Sequence, residues 1–226
     1  MNNLVIGGKG FIGNYLLNEL GIETRFLDLK LGYDAIEELP SMFPVDVIYH
    51  LGAHLQPADD KDIELHRAVH DYCQRTGAYL VYTSSAAIYN PTNLYAVQKL
   101  YGEIVLRDIP HTFLRLFNVY GEGGNGIVDK IKRNEDFKIN GDGKQRRDFV
   151  HVNDVVNALL IAGNNKIRGT FDIGTSKSIS VNELLEIAGQ GREYINHDPG
   201  VEDSVANVSS RLPWTAMHDV RDYVKA

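Results

Sequence analysis

Three residues between Thr83 and Lys99 have the types and spacing for proton transfer at a carbon-bound oxygen: Ser85, Tyr95 ten positions on, and Lys99 four beyond that. On a helix, Tyr95 and Lys99 share a face. A neighbouring ammonium favours a phenolate and lowers its pKa toward neutrality. A tyrosine tuned in this way can take or give a proton at a hydroxyl or carbonyl. Ser85 can hydrogen-bond the same oxygen and hold it in place. The helix is predicted from Asn90 as N-cap, Pro91 at the first helical position, and an apolar stripe of Leu94, Val97, Tyr101, Ile104 and Val105. Taken alone, a Tyr–Lys pair four residues apart is usually a solvated helix face, so the rest of the chain must supply the context.

That context begins at the N-terminus. An apolar run, Leu4 to Ile6, enters a glycine cluster and then an amphipathic pattern of Phe11, Ile12, Tyr15, Leu16, Leu17 and Leu20. This reads as strand, tight turn, helix. Gly7, Gly10 and Gly13 allow the turn, let backbone approach a pyrophosphate, and let the helix pack close to the strand. The diphosphate would meet the free N–H groups at the helix start. A second strand ends in Asp28, whose carboxylate can accept both hydroxyls of an adenosine ribose and would repel a 2′-phosphate. This favours NAD over NADP, although Lys30 lies close by. A third strand-like run, Val45 to His54, contains the small pair Gly52 and Ala53. A short helix is expected around Asp34 to Leu39 and a longer one over 60–76. A buried strand, Ala78 to Tyr82, then leads to the serines. Alternating strands and helices imply a parallel sheet covered on both faces. Ligands of such sheets bind beyond the carboxyl ends of the strands, and Gly7, Asp28, Ala53 and Ser85 all fall there.

Beyond the Tyr95 helix a strand is expected at Thr112 to Leu116, and a glycine-rich departure from the sheet at Gly121 to Gly126. A helix at Ile127 to Arg133, a strand at 137–140 and a loop carrying Arg146 and Arg147 follow. Asn153 or Asp154 is expected to cap a helix from Val155 to Ala162, and Ser180 one from Val181 to Ala188. A short strand near 169–175 and a final amphipathic helix within 213–224 complete the pattern. His66 and His70 stand four apart, as do His50 and His54, without an acid–histidine signature around them. They are expected to be structural or surface residues, and no metal site is expected. At 226 residues, with 43% hydrophobic and 23% charged residues, the chain suits one domain or one with a small lobe. A net charge of −7 does not suit nucleic acid or an anionic membrane. The single cysteine, Cys73, fits a reducing compartment. No apolar run reaches membrane-span length and no signal segment is evident, so the cytoplasm is the expected location.

In combination and order, these motifs resemble the extended short-chain dehydrogenase/reductase family of NAD-dependent nucleotide-sugar epimerases and dehydratases. The matching residues are GGKGFIG at 7–13, Asp28, HLGA at 50–53, SSAAIY at 84–89, Tyr95 with Lys99, LRLFNVYG at 114–121, GDGKQRRDFVHVND at 141–154 and FDIGT at 171–175. The resemblance implies a Rossmann-like, doubly wound parallel sheet with a small C-terminal substrate-binding lobe. The core would be 1–121 with 148–175, and the lobe 122–147 with 176–226. It implies Ser85, Tyr95 and Lys99 as the catalytic set. The NAD contacts would be Gly7, Gly10, Phe11, Ile12, Gly13, Asp28, Leu51, Gly52, Ala53, Thr83, Ser84, Tyr95, Lys99 and Phe117. Ser85, Asn118 and Arg147 would meet a nucleotide-sugar substrate, the arginine at its diphosphate. The implied reaction is epimerisation through transient oxidation of a sugar hydroxyl. A reductase of a keto nucleotide sugar using NADPH or NADH, and a non-catalytic dinucleotide-binding protein, are the alternatives. The family usually dimerises through the Tyr95 helix and the helix before it. The chain departs from the family in being shorter, with a trimmed segment between serine and tyrosine. Ala86 and Ala87 replace acids that serve dehydration, so 4,6-dehydration is disfavoured. The family's asparagine-glycine-threonine helix start is replaced near Asp62 to His66. Asp198 stands where the family has an arginine before Pro-Gly.

Overall fold

The computed structural model describes residues 1–52, 61–195 and 204–225. In chain order the elements are β1 (Asn3–Ile6), α1 (Phe11–Leu20), β2 (Arg25–Leu27), α2 (Ala35–Glu38), β3 (Val47–His50), α3 (Lys61–Thr76), β4 (Tyr79–Ser85), α4 (Leu94–Leu106), β5 (His111–Leu116), β6 (Asn118–Tyr120), α5 (Ile127–Lys132), β7 (Lys138–Asn140), β8 (Arg146–His151), α6 (Val152–Asn165), β9 (Gly169–Ile173), β10 (Ser178–Ser180), α7 (Val181–Ile187), β11 (Glu193–Ile195) and α8 (Val220–Lys225). The chain divides into two compact units, 1–115 with 156–171 and 116–155 with 172–226.

In the first unit the strands are ordered β2-β1-β3-β4-β5-β9 in one sheet, and β2, β1, β3 and β4 pair in parallel. Their near-continuous apolar sequences suit strands buried on both faces. The sheet order reverses at β1, whose chain first moves outward to β2 and then returns to β3. Such a switch point opens a crevice at the carboxyl ends of β1 and β3. The expected Rossmann-like sheet is therefore present, with a single strand, β2, outside β1. Leu4, Ile48, Leu65, Val69, Leu80, Tyr82, Leu106 and Phe113 belong to one buried cluster.

The second unit holds a three-stranded sheet, β10-β8-β6, and a parallel pair, β11-β7. β8 runs antiparallel to β10 and parallel to β6. Because β8 bonds to β10 on one edge and to β6 on the other, both strands group with the second unit. The chain passes between the two units at 115/116, 155/156 and 171/172. Ile131, Phe149, Leu184 and Val220 anchor this unit's apolar core.

Three helix starts differ from expectation. α4 begins at Leu94, not after Asn90, because the Asn93 side chain accepts from Ala96 N at 2.9 Å and takes the cap. Residues 86–89 form a separate 3₁₀ turn capped by Ser85. α6 begins at Val152, so Asp154 lies inside its first turn rather than at the cap. Its carboxylate instead binds His218 through the backbone N–H at 3.0 Å and the ring at 2.9 Å. The last helix is only Val220–Lys225. Ser180 caps α7 as expected, in a reciprocal pair with Glu183.

Candidate active site

The glycine turn after β1 is shaped by contact. Gly7 has φ +84°, and a Cβ there would meet Gly52 N at 2.7 Å. A Cβ on Gly13 would collide with the Gly7 carbonyl oxygen. Each glycine thus lets one backbone segment approach another. Gly10 starts α1 without a side-chain cap, which leaves the first-turn N–H groups available to an anion. Phe11 and Ile12 follow in that first turn. A cavity of about 270 Å³ lies beside the turn, lined among others by Gly7, Gly10, Asp28, Tyr33, Leu51 and Gly52. Asp28 caps a 3₁₀ turn at the end of β2. Its two carboxylate oxygens accept from Lys9 N at 2.7 Å and Lys30 N at 2.9 Å. Lys30 turns its ammonium back to the Lys9 carbonyl at 3.2 Å. These features fit a dinucleotide: a cradle that only glycine fills, free helix-start donors, and a fixed carboxylate. Ala53 lies outside the described residues, as do His54 and Asp198.

The chemistry-bearing residues meet at the end of β4. Ser85 hydrogen-bonds the Tyr95 phenol, and its Oγ accepts from Ala87 N at 3.2 Å. Lys99 is 5% exposed. Its Nζ donates to the Thr83 carbonyl at 2.9 Å and lies 6.0 Å from the Tyr95 ring centroid. Thr83 Oγ1 donates to the His50 carbonyl at 3.2 Å, tying the end of β4 to the end of β3. Ser84 is buried.

The pKa expectation for Tyr95 needs correction. Burial pushes the phenol above its ordinary 10, against the lowering effect of the Ser85 hydrogen bond, and the charge of Asp62 pushes it further up. Burial also lowers Lys99 to about 8, with Asp62 opposing that fall. The lysine is itself desolvated, so its charge does not dominate the tyrosine.

A buried cluster stands behind these residues. His50 and His66 meet through ring nitrogens 3.1 Å apart. Both rings pack on Tyr82, with centroids at 5.1 and 5.4 Å. Lys99 Nζ lies 4.9 Å from the centre of the Tyr82 ring. Motif reading treated these histidines as unrelated pairs four residues apart. Their neighbours lie on different elements, and no sequence spacing signals that. Alongside, Arg115 holds Glu103 through two bonds at 3.0 and 2.8 Å and reaches the Tyr89 hydroxyl at 3.0 Å.

The remaining expected residues belong to the second unit. Phe117 is buried, and Asn118 is exposed and donates to the Asp148 carbonyl at 2.9 Å. Arg147 is half-buried on β8 and donates to the Arg146 carbonyl at 2.9 Å. Asp148 is fully buried. Its carboxylate accepts from Thr175 N and Oγ1, Ser176 N and Ala206 N at 2.7–3.1 Å. It is thus a structural knot binding β8 to the segments after β9 and before Asn207.

Comparison with known proteins supplies the rest. The model of the NAD dependent epimerase/dehydratase family matches residues 3–174. The ADP-L-glycero-D-manno-heptose-6-epimerase of Alkalilimnicola ehrlichii is 27% identical over 265 aligned positions, covering 85% of this chain and 83% of that protein. Among solved structures, the UDP-N-acetylglucosamine 4-epimerase from Methanobrevibacter ruminantium M1, in complex with UDP-N-acetylmuramic acid, superposes with a TM-score of 0.85 at 21% identity, covering 99% of this chain and 96% of that one. MoeE5 in complex with UDP-glucose and NAD gives 0.81 at 24% identity, with the same coverage. Both likenesses are of fold.

Proposed function

The chain belongs to the NAD dependent epimerase/dehydratase family, and on that premise we propose that it is an NAD-dependent epimerase of a nucleotide sugar, with Tyr95 as its acid/base. The observation that carries this reading is the Ser85–Tyr95 hydrogen bond with the Lys99 ammonium beside it. A protein that only sensed a dinucleotide would need the glycine cradle and not this set.

NAD held in the glycine cradle would supply hydride acceptance and return at the sugar carbon. The chain does the rest. Gly7, Gly10 and Gly13 admit the dinucleotide backbone, and Asp28 meets the adenosine ribose. Leu51, Gly52, Thr83 and Ser84 would complete that contact, with Phe11 and Ile12 at the helix start. Ser85 holds the reacting sugar oxygen against the Tyr95 hydroxyl. Tyr95 takes the proton from that oxygen and later returns it. Lys99 supplies positive charge while the phenolate exists. Asn118 and Arg147 bind the substrate, the arginine at its diphosphate. The first unit is then the cofactor-binding core and the second the substrate lobe. Leu94, Val97 and Ile104 are exposed on α4 and support pairing of this helix with a second copy.

Tyr95→Phe is the direct test. The variant is expected to lose turnover of a nucleotide sugar by at least about a hundredfold, the usual share of positioned acid–base catalysis, while still binding NAD. Interconversion of UDP-, ADP-, GDP- and dTDP-sugars is followed by NMR, and NAD binding by protein fluorescence. Retained turnover would contradict the role given to Tyr95.

A further inference from the structure

The buried ammonium of Lys99 raises a question that the Ser85–Tyr95–Lys99 set leaves open. A charge taken from water is costly unless it is paired. Nζ donates to the Thr83 carbonyl and lies over the face of the Tyr82 ring. Neither carries a full negative charge.

Helix α3 supplies one. Asp62, in its first turn, is 3% exposed. His66 is one turn further along and shares its face. His66 Nε2 lies against Gly102 of α4, 2.9 Å from where a Cβ on that glycine would stand. Gly102 in turn follows Lys99 by three residues. The α3 turn Asp62–His66 therefore lies along the α4 turn Lys99–Gly102, with Tyr82 touching both. Asp62 and Lys99 each stand about one turn before that contact on their helices, and the Asp62 charge acts on Lys99.

We propose that Asp62 is the counter-charge that keeps the buried Lys99 ammonium protonated, a positioning residue acting on proton transfer through Lys99. The proposal rests on the reading of Ser85, Tyr95 and Lys99 as the reacting set. The other titratable groups facing Lys99 are these. Tyr82 on β4 presents its ring to Lys99. His50 on β3 and His66 on α3 bond one another. Glu103 on α4 is held by Arg115. Tyr95 shares a helix with Lys99, and its phenol bonds Ser85 on β4. Among the described residues, Asp62 is the carboxylate that raises the lysine's hold on its proton. The same charge opposes a phenolate at Tyr95. Asp62 thus maintains the lysine's charge while making the tyrosine harder to ionise.

The test is titration of Lys99 by NMR of ¹³C-lysine-labelled protein, its signal assigned by loss in Lys99→Gln. In the native protein Lys99 should titrate near 8. Asp62→Asn should lower this by about one unit, the smaller end of the effect of a close opposite charge. At pH 8 the charged fraction would fall from about half to about one tenth. Asp62→Glu should restore the native value. The alkaline limb of the pH–rate profile should move down by the same amount in Asp62→Asn. An unchanged Lys99 titration in Asp62→Asn would overturn the proposal. Should that variant fail to fold, Asp62→Ser carries the same prediction. The titration needs no substrate. A native protein that converts no sugar would therefore overturn the function while leaving this result to stand or fall on its own.

Discussion

Lys99 titrates well inside the range in which enzymes are assayed. Burial lowers it from 10.5 to about 8, so the charge beside Tyr95 is lost as pH rises through about 8, and activity should fall on that side. Folding reads the same shift with a definite sign. The folded chain binds this proton more weakly than the unfolded chain does. The penalty is fully present below about 8 and disappears as pH climbs to 10.5. The stability of the native protein relative to Lys99→Met should therefore rise between those values, measured as denaturant midpoints along a pH series. A flat difference would mean that the lysine is not desolvated. At this scale the meeting of Ser85, Tyr95 and Lys99 was legible, because four-residue spacing on a helix and a serine at a strand end are properties of sequence. Asp62, Tyr82 and the His50–His66 pair were not legible. They come from three elements and meet only through packing. The pKa of Tyr95 was misjudged for a related reason, since spacing shows the ammonium but not the burial that outweighs it.

At the level of elements, α4 is held by shape as much as by charge. A Cβ on Gly102 would stand 2.5 Å from the Tyr82 hydroxyl and 2.9 Å from His66 Nε2. Gly102→Ala should push α4 away from β4 and α3, costing about 1–3 kcal/mol in stability. Because Lys99 and Tyr95 ride on the same helix, turnover should fall by more than stability alone explains. Chemical denaturation and NMR-followed turnover of one preparation check both. The turn after β1 offers a parallel case. Each Asp28 oxygen accepts a backbone amide, one of them from the glycine turn itself. Asp28→Asn should weaken NAD binding about tenfold, the worth of one hydrogen bond to a charged group, and improve NADP relative to NAD. Equal loss for both cofactors would show that the residue only shapes the turn. Element identity was readable from period and glycine spacing, whereas the start of α4 was misplaced by three residues. Asn90 and Asn93 are both good caps on paper, and the Ser85-capped 3₁₀ turn decides between them.

The whole molecule follows from the alternation of strands and helices, which prescribes a parallel sheet and a switch point at β1. The reduction outside β1 to a single strand, β2, matches the short spacing between Asp28 and Val45. The 265-position alignment with the heptose epimerase exceeds the 226 residues of this chain, so that relative carries insertions within the matched span. The grouping of β6 and β8 with the second unit was not legible. Neither strand is expected from the sequence, since 118–120 only follows the Thr112–Leu116 run and 146–151 reads as part of a loop; the pairing of β8 with both β6 and β10 makes them a second sheet. Among the described residues no helix is long and apolar enough to cross a membrane.

The central claim is that hydride leaves and returns within one protein molecule, so that the cofactor stays in place between turnovers. The most direct test is to denature the purified, dialysed protein by heat and quantify the nucleotide it releases. The account predicts close to one NAD per chain. Little retained dinucleotide, with binding restored by added NADPH or NADH, would contradict it and make the protein a reductase whose cofactor departs at every turnover.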